Sequence, residues 1–186
     1  MRNHVLRSLT LLIAILVGAV AVAQQDDVFD FIPDGGRTLL EGLLGEGLPD
    51  ALAARIGSDS ADAAQWRAAL DEAAGASPAI GALDEWQRET LAQYLAIRAP
   101  FSLEQDLPED GRDLSLALCQ SCHIITVVIT QERTSEAWLG TMNSPSHIEI
   151  ESSPEDRRLI AEYLVINAGI PIDLVPPELR AGGASY

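Results

Sequence analysis

Lysine is absent from this 186-residue chain: all twelve basic residues are arginines, set against twenty-eight aspartates and glutamates. A formal charge of −16 repels phosphate backbones and anionic headgroups alike, which argues against nucleic acid or an anionic membrane surface as a partner. A basic or locally cationic protein partner suits that charge, and so does plain solubility. Soft and nitrogen ligands are also scarce: two methionines including Met1, three histidines and two cysteines. With only His123 and His147 outside the N-terminal segment, the usual structural zinc sets lack two ligands unless carboxylates join. Strand signals are few. Only Ile124 to Ile129 is β-branched enough to suggest one, so the expectation is an all-α protein.

A single long apolar run opens the chain. Arg2 and Arg7 precede Leu9 to Val20, and Ala21-Val22-Ala23 is a small-x-small cleavage site, so residues 1–23 have the pattern of a secretory signal peptide. The run is short for a bilayer span, and removal is expected, with no stable membrane insertion afterwards. Cleavage of 23 of the 186 residues leaves 163 and takes the formal charge from −16 to −18.

The mature chain repeats itself. Gly36-Arg37-Thr38-Leu39-Leu40 resembles Gly111-Arg112-Asp113-Leu114-Ser115 at a spacing of 75; Trp66 matches Trp138 at 72. Arg88, Leu91, Ala92, Tyr94 and Leu95 match Arg157, Ile160, Ala161, Tyr163 and Leu164 at 69. Similarity in fixed order with shrinking offsets is the trace of duplication. The expected organisation is a first helical domain over 27–103, a second over 104–175 and a tail over 176–186, with residues 100–110 as linker. Helices are expected from Ser60 to Gly75, from Asp84 to Ile97, and from the Ser153-Pro154 cap to about Asn167.

The chemistry is confined to the second half. Cys119-Gln120-Ser121-Cys122-His123 has the Cys-x-x-Cys-His spacing that attaches c-type haem. On the first turn of a helix, thiols three residues apart share a face and can both add to the vinyl groups, while His123 is aimed at the iron. A disulfide across so short a loop would stabilise little and would not need His123. A thioredoxin-like pair would want a βαβ setting that the sequence lacks. In the first half, Leu44, Gly47 and Leu48 stand opposite Cys119, Cys122 and His123, and Leu70 stands opposite Met142. The first copy is therefore expected to hold no haem and to refill the space with side chains, Leu44, Leu48 and Leu70 lying in its core.

Glu104 to Pro171, with Gly111 and Leu114, the Cys-x-x-Cys-His motif and a late helix ending Ala161-Glu162-Tyr163-Leu164, resembles a class I c-type cytochrome domain. It is also similar to cytochrome domains that act as electron-accepting subunits of periplasmic dehydrogenases, where a tryptophan precedes a methionine on a short helix. The resemblance implies one covalently attached haem c with His123 as proximal ligand. Met142, the sole mature methionine, is the expected sixth ligand, and His147 is its competitor. Trp138, Tyr163 and Arg133 are candidates for the haem pocket, Arg133 as a partner for a propionate. Each is equally suited to ordinary core or surface duty. What this implies is an exported, periplasmic electron carrier serving redox protein partners, not an enzyme by itself. Two other readings remain: a haem-bearing subunit of a dehydrogenase or oxidase, and a haem enzyme or sensor with an open sixth position.

Overall fold

The computed structural model describes residues 28–180; residues 1–27 and 181–186, and with them the signal-peptide assignment, lie outside it. Val28 to Phe31 form a turn, and residues 32–180 belong to one unit. Among the described residues all regular structure is helical. The helices are α1 (Gly36–Glu46), α2 (Asp50–Ser58), α3 (Ala63–Ala74), α4 (Pro78–Ala82), α5 (Glu85–Arg98), α6 (Gly111–Cys119), α7 (Thr126–Ile129), α8 (Ser135–Met142) and α9 (Pro154–Asn167), followed by two short 3-10 turns. The stretch from Ile124 to Ile129, the one strand-like segment in the sequence, forms a turn and the short helix α7.

Local chemistry sets the helix ends. Asp62, Asp84, Asp110 and Ser153 each close a capping box, in which side chain and backbone satisfy one another's free donors. Thus α3 begins after Asp62 and not at Ser60, because Asp62 and Gln65 sit at the reciprocal spacing. Pro154 occupies the first position of α9, where its missing N–H costs nothing.

Two long helices, α5 and α9, pack on each other, and the others are disposed about them in matched pairs. α1 and α3 pack on α5; α6 and α8 pack on α9. Glycine permits the closest of these crossings. A Cβ on Gly36 would lie 2.3 Å from Cβ of Tyr94, and one on Gly111 would lie 2.4 Å from Cβ of Tyr163. Each tyrosine then reaches across to the other half: Tyr94 donates to the Pro108 carbonyl at 2.8 Å, and Tyr163 to the Pro33 carbonyl at 2.6 Å. Arg98 on α5 bridges Glu155 and Asp156 on α9 at 2.6 and 3.0 Å.

Asp110 joins the halves more tightly still. Its carboxylate is 1% exposed and accepts from Arg112 and Asp113 of its own helix, and also from the backbone N–H of Arg37 at 2.7 Å. It thereby caps α6 and α1 together. α1 has no cap of its own because Gly35 precedes it, and a Cβ there would fall 2.0 Å from the carboxylate. Residues 100–110, expected as linker, therefore contain a buried polar hub.

In the first half the core is filled by Leu40, Ile56, Trp66 and Leu70, none of them exposed to solvent. Of the three leucines expected inside, only Leu70 is buried. Leu48 is half-buried and Leu44 is 37% exposed. Instead α2 supplies buried Leu52 and Ile56. The C-terminal segment to Arg180 is docked, with Val175 buried and the Thr126 hydroxyl donating to the Leu179 carbonyl at 2.5 Å.

Candidate functional site

A cleft of about 240 Å³ opens in the second half. Its wall is built from the end of α6, the turn after it, α7, α8, the loop that follows, and one face of α9. The residues singled out in the sequence meet there: Cys119, Cys122 and His123 line it together with Arg133, Trp138, Met142 and His147. Val128, Ile160 and Leu164 supply apolar wall, and Arg157 adds a second guanidinium. No aspartate or glutamate lines it, in a chain that carries twenty-eight. Ordered by chance, such a composition would be unusual; it suits a largely apolar ligand with anionic groups.

The motif straddles the end of α6 and does not start a helix. Cys119 is its last residue, Gln120 continues in right-handed geometry at φ −80° and ψ −4°, and Cys122 and His123 lie in the turn beyond. Ser121 steadies that turn by donating to the Leu118 carbonyl at 2.9 Å. Both thiols are free. Burial pushes the Cys119 thiol up to about 11, the opposite of the depressed value a disulfide-exchanging pair uses. His123 is half-buried, with Nδ1 3.4 Å from the Ile124 carbonyl. A carbonyl only accepts, so Nδ1 carries the proton in that contact and Nε2 keeps the lone pair a metal would take.

Across the cleft, Thr134 caps α8, accepting from Ala137 at 3.2 Å, and the helix ends at Met142. Met142 and His147 are both half-buried and both line the space. Ser144 and Ser146 hold the His147 ring by Nδ1, at 3.1 and 3.0 Å. Trp138 is 4% exposed, its indole N–H is buried without an acceptor, and the Arg133 guanidinium stacks 5.1 Å from its ring centre. Arg133 also donates to Thr141 Oγ1 at 2.9 Å and to the Gln131 amide oxygen.

Tyr163 is a correction. It lies outside the cleft, against Gly111, with its hydroxyl bound to Pro33, because the glycine leaves the room that draws its ring into the helix crossing. Arg157 was missed as a site residue, although its match to Arg88 in the repeat marked it. Among the described residues there is no cluster of three or more His, Cys, Asp or Glu that could hold a bare metal ion, and no helix long and apolar enough to cross a membrane. No family model, curated protein or solved structure matches the chain.

Proposed function

We propose that this chain is an exported monohaem c-type cytochrome that carries single electrons between redox protein partners and breaks no substrate bond. The observation that carries the reading is convergence. The attachment cysteines, the proximal histidine and both candidate sixth ligands, separated by up to 28 positions in the chain, line one cleft without a carboxylate. Haem c, when bound, supplies a one-electron Fe(II)/Fe(III) couple whose potential follows its axial ligands and surroundings.

The residues fit such a group. Cys119 and Cys122 are free to form thioethers, and His123 has Nε2 available for iron. Met142 is the sixth ligand in this reading, with His147 as its competitor. The unpartnered Trp138 indole N–H and the Arg133 guanidinium would each take an anionic carboxylate, as a propionate offers. Val128, Ile160 and Leu164 exclude water from the rest of the group. The tandem-domain reading is supported by paired crossings, Gly36 on Tyr94 and Gly111 on Tyr163, and by the reciprocal bonds to Pro108 and Pro33. A first copy without haem is supported by the buried Trp66, Leu70 and Ile56. Residues 1–23 and the attachment chemistry together support a periplasmic location.

The test is direct. Protein made in cells with haem-attachment machinery should keep its haem stain after denaturation, at one iron per chain. Replacement of Cys119 and Cys122 by alanine should abolish the stain. Colour lost on denaturing the unmutated protein, or two irons per chain, would sink the assignment.

A further inference from the structure

Arg157 projects from α9 and binds the loop after α8 at both ends. Its guanidinium donates to the Met142 carbonyl, to Asn143 Oδ1 at 3.1 Å, to the Ile150 carbonyl at 3.2 Å and to Ser152 Oγ at 3.0 Å. Those four acceptors bracket the segment that carries Met142 and His147. All four are neutral, and no carboxylate among the described residues pairs with this cation.

The first half contains a related arginine with fewer bonds and a different acceptor. Arg88, at the matching position of α5, donates to the Leu83 carbonyl at 3.0 Å and to Asp71 Oδ1 at 2.9 Å. Leu83 stands 69 residues before Ser152, the offset of the two arginines, and Asp71 stands 72 before Asn143, the offset of the two tryptophans. The arginine and two of its contact positions are shared, but in the first half one of the two acceptors is a carboxylate. In the half with the cleft an amide takes that place. An uncompensated, half-buried cation lining the cleft disfavours any further positive charge nearby.

We infer that Arg157 is a positioning residue that holds the sixth-ligand loop, and that Asn143 keeps its charge uncompensated so that the reduced form of the bound iron is favoured. The inference rests on the haem reading above, and it adds a determinant of the potential that is not a ligand. Asn143→Asp retains an acceptor for the guanidinium and restores the carboxylate of the first half. Arg157→Lys retains the charge and loses the multi-dentate clamp; Arg157→Gln loses both.

The experiment uses full-length haem-loaded protein at neutral pH and low salt, with a redox titration and amide hydrogen exchange over residues 143–152. Asn143→Asp should shift the midpoint to lower potential, with haem content and loop exchange unchanged, and added salt should shrink the shift. Arg157→Gln should lower the midpoint and speed loop exchange by about tenfold, the scale of one or two net hydrogen bonds. Arg157→Lys should speed exchange as much while recovering part of the potential. A midpoint unmoved or raised by Asn143→Asp overturns the charge effect, and loop exchange unaltered by Arg157→Gln overturns the clamp. Should Arg157→Gln fail to fold, Asn143→Asp and Arg157→Lys decide both points. A wild-type chain without haem overturns the proposed function and the charge effect, while loop exchange still decides the clamp.

Discussion

Met142 and His147 line the same cleft five residues apart, and their chemistries separate them. A thioether favours Fe(II) where an imidazole favours Fe(III), so Met142→Ala should lower the potential markedly and let carbon monoxide bind the reduced protein. His147→Ala should leave both nearly unchanged, because Met142 holds the sixth position in this reading. The reverse pattern would transfer the role to His147; no effect from either would point to an open site and raise the enzyme or sensor reading. The titrations and carbon monoxide difference spectra of the two variants settle this. At this scale the lining of the cleft was largely legible, because Cys-x-x-Cys-His is a contiguous motif and Met142 is the only methionine besides Met1. What was not legible was orientation. Tyr163 and Ile160 both lie on α9, yet Ile160 faces the cleft and Tyr163 faces Gly111, which depends on where the partner helix crosses.

The helix crossings depend on two glycines and one aspartate. Gly111→Ala would drive a methyl into the Leu159 carbonyl and the Tyr163 side chain, at 2.4 Å from each, and backbone cannot yield as a flexible side chain can. A loss of about 1–3 kcal/mol is expected, read as a lower urea midpoint. Asp110→Ala removes the caps of α6 and α1 at once; at about 1 kcal/mol each, a loss near 2 kcal/mol is expected, and Asp110→Asn should recover part of it. Acid weakens an ion pair in the first half. The Arg88 guanidinium bonded to Asp71 holds that carboxyl below the usual range, against the opposing effect of burial and with help from Arg67. Because the folded value is depressed, this contribution is present above the unfolded value of about 3.9 and is lost as pH falls through the folded one. Arg88→Gln should therefore flatten stability against pH below about 4, measurable by acid titration of helical circular dichroism. Local signals made these elements legible where they were: Ser153 and Pro154 set the start of α9, and it ends at Asn167 as expected. The double cap was invisible because Asp110 and Arg37 are 73 residues apart, and no local pattern records that bond. α2 was missed because its apolar signal is only Leu52 and Ile56, one turn apart, in a nine-residue helix.

At the level of the whole molecule, the proposed duplication raises the question of whether the halves behave as two units or one. Two beads on a linker would unfold separately, the half without the cleft indifferent to changes in the other. The contacts argue otherwise. α5 and α9 pack on each other, Arg98 bridges to Glu155 and Asp156, and each tyrosine hydroxyl is satisfied only by a carbonyl of the opposite half. Asp110 supplies to α1 the cap that Gly35 withholds, so the first half alone would start its first helix with unpaired N–H groups. Ion pairs with exposed partners contribute little, whereas the buried Asp110 cap and the packed α5–α9 contact, where Asn167 donates to Thr90 Oγ1 at 2.9 Å, cannot be cut without exposing both sides. Urea unfolding should thus follow one transition, with helical circular dichroism and the fluorescence of Trp66 and Trp138 superimposing although the two rings lie in opposite halves. Asp110→Ala and Gly111→Ala should move that transition as a whole without splitting it. Two separated transitions, or a tryptophan signal that leads the helical signal by a resolvable denaturant interval, would show that the halves are autonomous. In that case the reciprocal bonds between them would be contacts of convenience and not the joint on which the second half, with its cleft, depends.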